Sequence, residues 1–157
     1  MSFRVGIGVD AHKLERGVPL ILGGVRLDFD RGLSGHSDGD VLAHALIDAL
    51  LGAAGLGDIG ALFPSGDERY RGADSLDLLR DAYKQVTDAG WTLVNADCVL
   101  IGQEPKIAAR RAEMRERLSE ACGGGEVNVR ATTMDHMGFT GRGEGLAAHA
   151  VALLTRV

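Results

Sequence analysis

The chain has 157 residues, 45% hydrophobic and 25% charged, which fits one soluble domain spanning 1–157 with a sizeable core. No apolar run reaches the roughly 18–20 residues of a membrane span, and Met1-Ser2-Phe3-Arg4 opens no signal-peptide pattern. A net charge of −5 argues against general nucleic-acid binding, and two cysteines, Cys98 and Cys122, form no CxxC pair or disulfide framework, so a cytoplasmic setting is expected.

Phe3, Val5, Ile7 and Val9 alternate with smaller or polar residues, predicting a half-buried strand. Leu20, Leu22 and then Val25, Leu27, Phe29 flank Gly23-Gly24, a hairpin pattern. Residues 30–36 read as a polar loop. Ser37 and Asp40 then read as a capping box, with Ser37 at the N-cap and Asp40 at N3. Leu42, Ala45, Leu46, Ala49 and Leu50 give the following helix one buried stripe, ending near the glycines at 52–57. A second helix is expected from Asp74 or Ser75 to Ala89, closed by Gly90.

Residues 92–102 are β-prone, 106–121 form an Arg-rich helical pattern, and Gly123-Gly124-Gly125 marks a turn. Val127, Val129 and Ala131 alternate with polar residues as a strand. Gly145 to Thr155 is apolar on both faces and suits a central strand. These elements predict an α+β fold, with a mixed sheet covered by helices on at least one face.

Asp10 and His12 stand at i and i+2 of the first strand and so share a face. Carboxylate and imidazole are usual ligands for zinc and related metals. His44 is the candidate third ligand, off the apolar stripe beside Asp40 and Asp48; the alternative is an ordinary hydrogen-bonded helix histidine. Three protein ligands would leave an open coordination position. Gly6-Ile7-Gly8-Val9-Asp10-Ala11 loosely matches a dinucleotide fingerprint, but Gly17 and Pro19 follow where a helix is required. Asp38-Gly39-Asp40 lacks the spacing of a calcium loop.

His36-Ser37 precedes a helix N-terminus, a place for an anion or for plain capping. Asp58, in Gly57-Asp58-Ile59-Gly60, suits a turn cap or a substrate hydroxyl. Gln103-Glu104-Pro105-Lys106 suits a nucleobase pocket or a helix that starts with proline. Gly138-Phe139-Thr140-Gly141-Arg142-Gly143-Glu144-Gly145 offers a flexible backbone with one forked donor, suited to phosphate or to a tight loop.

Taken in order, GVDAH at 8–12, GHSDGDVLAHALIDALLGAAGLGDIG at 35–60, GADS at 72–75, PK at 105–106 and GFTGRGEG at 138–145 resemble the 2-C-methyl-D-erythritol 2,4-cyclodiphosphate synthase family. The resemblance spans nearly the whole chain. It implies a ferredoxin-like two-layer sandwich with a mixed four-stranded main sheet and helices on one face. It also implies a homotrimer with active sites between neighbouring subunits. The implied enzyme is a phosphorus–oxygen lyase of the non-mevalonate isoprenoid pathway. In it the 2-phosphate of 4-diphosphocytidyl-2-C-methyl-D-erythritol 2-phosphate attacks the β-phosphorus and CMP leaves.

The roles follow residue by residue, still as implications of the resemblance. Asp10, His12 and His44 would hold zinc or another divalent transition metal. Asp135 would hold magnesium or manganese. His36 and Thr133 would stabilise the transition state, and Asp58 would hold the erythritol hydroxyls. Further substrate contacts fall on Asp10, His12, His36, Ser37, Ile59, Gly60, Phe63 and Asp67 in the first half. In the second half they fall on Gly102, Pro105, Lys106, Ile107, Ala108, Thr132, Thr133, Met134 and Asp135, which would form the cytidine pocket and contact the diphosphate. Phe139 and Arg142 fall where the family contacts phosphate or ligand near the trimer axis. The chain departs from the family at Asp135, often Glu, at Ser65, commonly Asp, and at Met134, usually polar. Two other readings compete: a metal-dependent phosphohydrolase, and a non-catalytic diphosphate-binding module with a closed four-ligand zinc.

Overall fold

Two glycines set how the first strand meets the first helix. In the computed structural model, which describes residues 1–156, strand β1 (Ser2–Arg16) turns Gly6 and Gly8 inward against helix α1 (Val41–Ala54). A Cβ at Gly6 would stand 2.0 Å from the Ala49 carbonyl oxygen, and one at Gly8 1.8 Å from that of Ala45. Strand β7 (Gly145–Arg156) continues this floor with Ala148, Ala150 and Ala152, all buried. Small residues thus let helix backbone lie directly on strand backbone. Because the obstacle at Gly8 is backbone, Gly8→Ala is expected to cost about 3 kcal/mol of stability, read as a lowered urea midpoint.

The close approach decides which face of the expected half-buried strand is covered. Phe3, Val5, Ile7 and Val9 do alternate, but they lie on the outer face, between 53% and 70% exposed. Period-two alternation tells which residues share a face; the glycines decide which face is covered. The strand also runs past His12, where it was expected to end, because β1 pairs antiparallel with β7 from Ser2–Arg156 to Lys13–Gly145 and continues to Arg16. It then pairs with β4 (Arg31–Leu33), inside the stretch expected to be loop.

Between them lies the expected hairpin, β2 (Leu20–Leu22) and β3 (Val25–Leu27). Gly23 and Gly24 have φ of 58° and 74°, the pair of positive values that a two-residue primed turn requires. Asp40, not Ser37, is the N-cap of α1. Its carboxylate accepts from Ala43 N at 3.1 Å and from the hairpin amides Gly23 N at 2.9 Å and Gly24 N at 2.7 Å. One side chain thus starts a helix and pins a turn. Complete burial, with the Asp38 charge nearby, pushes this carboxyl up to about 6 against the pull of those amides.

Helix α1 has no single buried stripe. Residues 41–47, 49–51 and 53 are all buried, because α3 (Ser75–Asp88) covers the side that the sheet does not. Gly55 ends α1 in the left-handed region, and Gly90 follows α3 at φ 92°, as expected. Strand β5 (Thr92–Ile101) pairs with β7 and lies parallel to β6 (Glu126–Thr132). The parallel pair needs a crossover, and α4 (Arg111–Ala121) supplies it. Since α4 begins at Arg111, Pro105 is not its first residue but stands in the preceding turn.

The mixed sheet has five strands, in the order β4–β1–β7–β5–β6, where four were expected; the fifth is short β4. Setting the short elements aside, the chain runs β–α–α–β–α–β–β. That differs from the β–α–β–β–α–β order of a ferredoxin-like plan. The α+β character holds, with α1 and α4 packed on the inner face of the mixed sheet. Among the described residues no helix is long and apolar enough to cross a membrane.

Candidate active site

Asp10 and His12 leave the inner face of β1 just where α1 presents His44. His12 Nε2 lies 2.9 Å and His44 Nδ1 3.2 Å from the same oxygen, Asp10 Oδ2. Ligand atoms of all three residues fall within 4.8 Å of one another, the only such cluster among the described residues. The imidazoles meet edge to face with centroids 5.5 Å apart.

Hydrogen bonds orient both rings. His12 Nδ1 lies 2.9 Å from the Ser34 carbonyl, which can only accept, so the proton sits on Nδ1 and the Nε2 lone pair faces the cluster. His12 Nε2 is buried and has no well-aligned hydrogen-bond partner despite its nearness to Asp10. A buried, unpartnered imidazole nitrogen beside a carboxylate and a second imidazole fits a divalent metal. The cluster can hold one, with room for a further ligand.

Burial works to raise the Asp10 carboxyl, but the two adjoining imidazoles outweigh it and hold it below the ordinary range. The Asp10 carboxylate in turn lifts His12 above its ordinary value, against burial. Protonation of His12 at Nε2 therefore competes with an incoming ion. Metal affinity is full above the raised His12 value and falls as pH drops through it. Chelator competition with zinc should accordingly show weaker binding at pH 6 than at pH 8.

A cleft of about 410 Å³ opens over the cluster. Asp10, His12, His36, Ser37, His44, Ile59, Gly60 and Phe63 line it, so eight of the expected residues share one cavity. Its far wall is the segment from α2 (Ile59–Leu62) to Tyr70, where Phe63 and Tyr70 pack edge to face 5.2 Å apart. Asp58 is the N-cap of α2, accepting from Ala61 N at 2.8 Å, while Asp48 ties Ile59 N back to α1 at 2.7 Å. His36 Nε2 donates to the Asp67 carbonyl at 2.7 Å, which draws this wall towards α1. The Asp67 carboxylate itself is engaged by Arg69.

The remaining expected residues lie elsewhere. Thr132, Ile101, Ala147 and Ala11 form one row across four strands at the same end of the sheet. Three strand spacings, about 14 Å, separate Thr132 from Ala11. By the alternation of the pleat this row belongs to the outer face, whereas His12 points inward. Gly102 N bonds the Thr132 carbonyl at 3.1 Å, and Gln103 accepts from His136 N at 3.1 Å, joining segments 102–108 and 132–136. Lys106, Ala108, Thr132, Met134 and Asp135 are exposed, Pro105 and Thr133 partly so, and Ile107 is buried in the core.

Asp135 and His136 have φ of 53° and 65°, two successive non-glycine residues in the left-handed region. Such backbone costs on the order of 1 kcal/mol per residue and gathers at functional sites. Phe139 and Arg142 line a separate cleft of about 670 Å³ with His12 and Arg31, where Arg142 pairs with Glu144.

Sequence reasoning missed two contributors. Ser75 and Asp38 read as helix-start residues, yet the Ser75 hydroxyl lies 2.7 Å from His44 Nε2 and is bonded by Asp38. A polar residue that opens a helix gives no separate signal when its side chain serves another element.

Comparison with known proteins agrees with this geometry. The YgbB family model matches residues 3–155. The 2-C-methyl-D-erythritol 2,4-cyclodiphosphate synthase of Moorella thermoacetica is 56% identical over 153 residues, 96% of this chain and 94% of that protein. The synthase of Rubrobacter xylanophilus is 55% identical, over 99% and 96% of the two chains. Among solved structures, the bifunctional IspDF of Campylobacter jejuni superposes with a TM-score of 0.94 at 40% identity, covering 99% of this chain and 43% of its own. IspF of Plasmodium falciparum, solved as a CDP complex, gives 0.85 at 30% identity over 99% and 97%. The chain belongs to the YgbB family, that of the cyclodiphosphate synthases.

Proposed function

We propose that this chain converts 4-diphosphocytidyl-2-C-methyl-D-erythritol 2-phosphate to 2-C-methyl-D-erythritol 2,4-cyclodiphosphate with release of CMP, a step of non-mevalonate isoprenoid precursor biosynthesis. The observation that carries this reading is the Asp10–His12–His44 cluster at the base of the cleft that also holds His36 and Phe63. An oxygen of the 2-phosphate attacks the β-phosphorus, the bond to the α-phosphate bridging oxygen breaks, and CMP leaves with that oxygen. The nucleophile is already on the substrate, so the protein's task is to fold the chain into attack geometry.

Asp10, His12 and His44 would hold zinc or a similar ion, and Asp135 magnesium or manganese together with substrate phosphates. An ion bound by one carboxylate plus phosphate oxygens is usual for magnesium. Bound metals offset the charge that builds on phosphorus during displacement. Asp58, at the cleft edge, binds the erythritol hydroxyls, and His36 and Thr133 donate to phosphate oxygens. Because Nε2 of His36 holds the Asp67 carbonyl, substrate binding would exchange that bond for one to phosphate.

Segments 102–108 and 132–135 would form the cytidine pocket, a reading helped by the CDP bound to the Plasmodium falciparum relative. They lie on the opposite side of the sheet end from the metal cluster. We therefore infer a homotrimer in which one copy's metal half meets a neighbour's cytidine half. The exposed apolar residues Phe3, Val5, Ile7, Val9 and Val151 provide the surface for that association.

Phosphorus NMR of the protein with this substrate, with and without magnesium and chelator, tests the reading. Coupled signals of a cyclic diphosphate with metal-dependent release of CMP are expected. A linear phosphate product would make the chain a phosphohydrolase instead.

A further inference from the structure

Ser75 is the first residue of α3 and wholly buried, and its backbone and side chain both turn toward the loop ahead of α1. The Asp38 carboxylate accepts from Ser75 N at 2.9 Å, from the Ser75 hydroxyl, and from Asp40 N at 3.1 Å. With its single proton committed to Asp38, the Ser75 oxygen must act as acceptor toward His44 Nε2, 2.7 Å away. The Ser37 hydroxyl stands at 3.0 Å from the same nitrogen as a longer second contact. His44 is itself 7% exposed, so no solvent competes freely for that N–H.

A hydroxyl oriented by a carboxylate thus fixes the proton on Nε2 and leaves the Nδ1 lone pair toward Asp10. Ser75 contributes one more constraint, since α3 holds its backbone while α1 holds that of His44. The ring is clamped between two helices.

We propose that Asp38 and Ser75 form a positioning dyad that sets the tautomer and orientation of His44 as a metal ligand through Nδ1. The proposal rests on the metal reading of the Asp10–His12–His44 cluster. Neither residue touches the ion or the substrate; both act through the ring of His44. Outer hydrogen bonds of this kind typically govern about 10- to 100-fold in metal affinity. The clamp makes the ligand ready before the ion arrives, whereas His12 is oriented only by the carbonyl of Ser34.

The test is titration of metal-free protein with cobalt(II) against a competing chelator, following the visible absorption of the bound ion, for the wild type, Ser75→Ala and Asp38→Asn. Ser75→Ala should weaken cobalt binding about 10- to 100-fold, and Asp38→Asn by less, since the amide oxygen still accepts from Ser75. Circular dichroism of the metal-free variants should stay unchanged. Binding by a folded Ser75→Ala within about 2-fold of wild type would overturn the dyad.

If Ser75→Ala does not fold, long-range ¹H–¹⁵N spectra of the wild type decide. A proton on His44 Nε2 in both metal-free and zinc-loaded protein supports the proposal, and a proton on Nδ1 in either overturns it. Failure of the wild type to bind cobalt or zinc at all would instead remove the metal reading on which the dyad stands.

Discussion

Replacing His44 with alanine should abolish zinc binding in the micromolar range and lower turnover about 100- to 1000-fold, the scale on which losing one strong electrostatic stabiliser acts. The side chain is one of the two imidazoles that converge on Asp10 Oδ2, and no fourth acid, cysteine or histidine among the described residues joins the three-residue cluster to replace it. The fold should tolerate the change. Leu42, Leu46 and Leu50 remain buried along α1 and keep its packing on the sheet and α3. Metal content by mass spectrometry and CMP release together check the outcome. A His44→Ala protein that keeps stoichiometric zinc and full turnover would remove the cluster from the reaction.

The second large effect is expected from mixing two inactive proteins. Thr133→Ala damages the half of the site at the ends of β5 and β6, and His44→Ala damages the half between β1 and α1. If each site joins halves from neighbouring copies, random trimers from an equal mixture carry both halves intact at about one site in four (one half times one half). Co-refolding the two variants should then restore about a quarter of wild-type activity, from near zero for either alone. Sites built within one chain would give no recovery. The placement argues for the first outcome, since Thr132 shares its row with Ala11 on the outer face while His12 points inward.

Much of this site was legible in the sequence because strand and helix periods are rigid. The two-residue spacing of Asp10 and His12 can only place them on one face, and the glycines after α1 can only end it. What stayed hidden depended on contacts between distant segments. Alternation grouped Phe3, Val5, Ile7 and Val9 correctly, but the covered face was decided by how closely α1 approaches Gly6 and Gly8. The capping box failed for a similar reason. Asp40 binds the amides of a hairpin sixteen and seventeen residues earlier, so the helix starts where that carboxylate is held. Ser75 looked like any helix-opening residue until its partner on α1 could be seen.

The near-complete burial of α1 also separates timescales within the site. Amide protons in its interior can exchange with deuterium only when the whole domain opens, because sheet and α3 cover it on both sides. The wall formed by α2 and the turn at Glu68–Tyr70 has no buried residue in either element and exchanges through local openings. Deuterium uptake should therefore be slower along α1, which carries His44, than in the wall across the cleft, so that the wall can readjust around a ligand while His44 stays in register with Asp10 and His12.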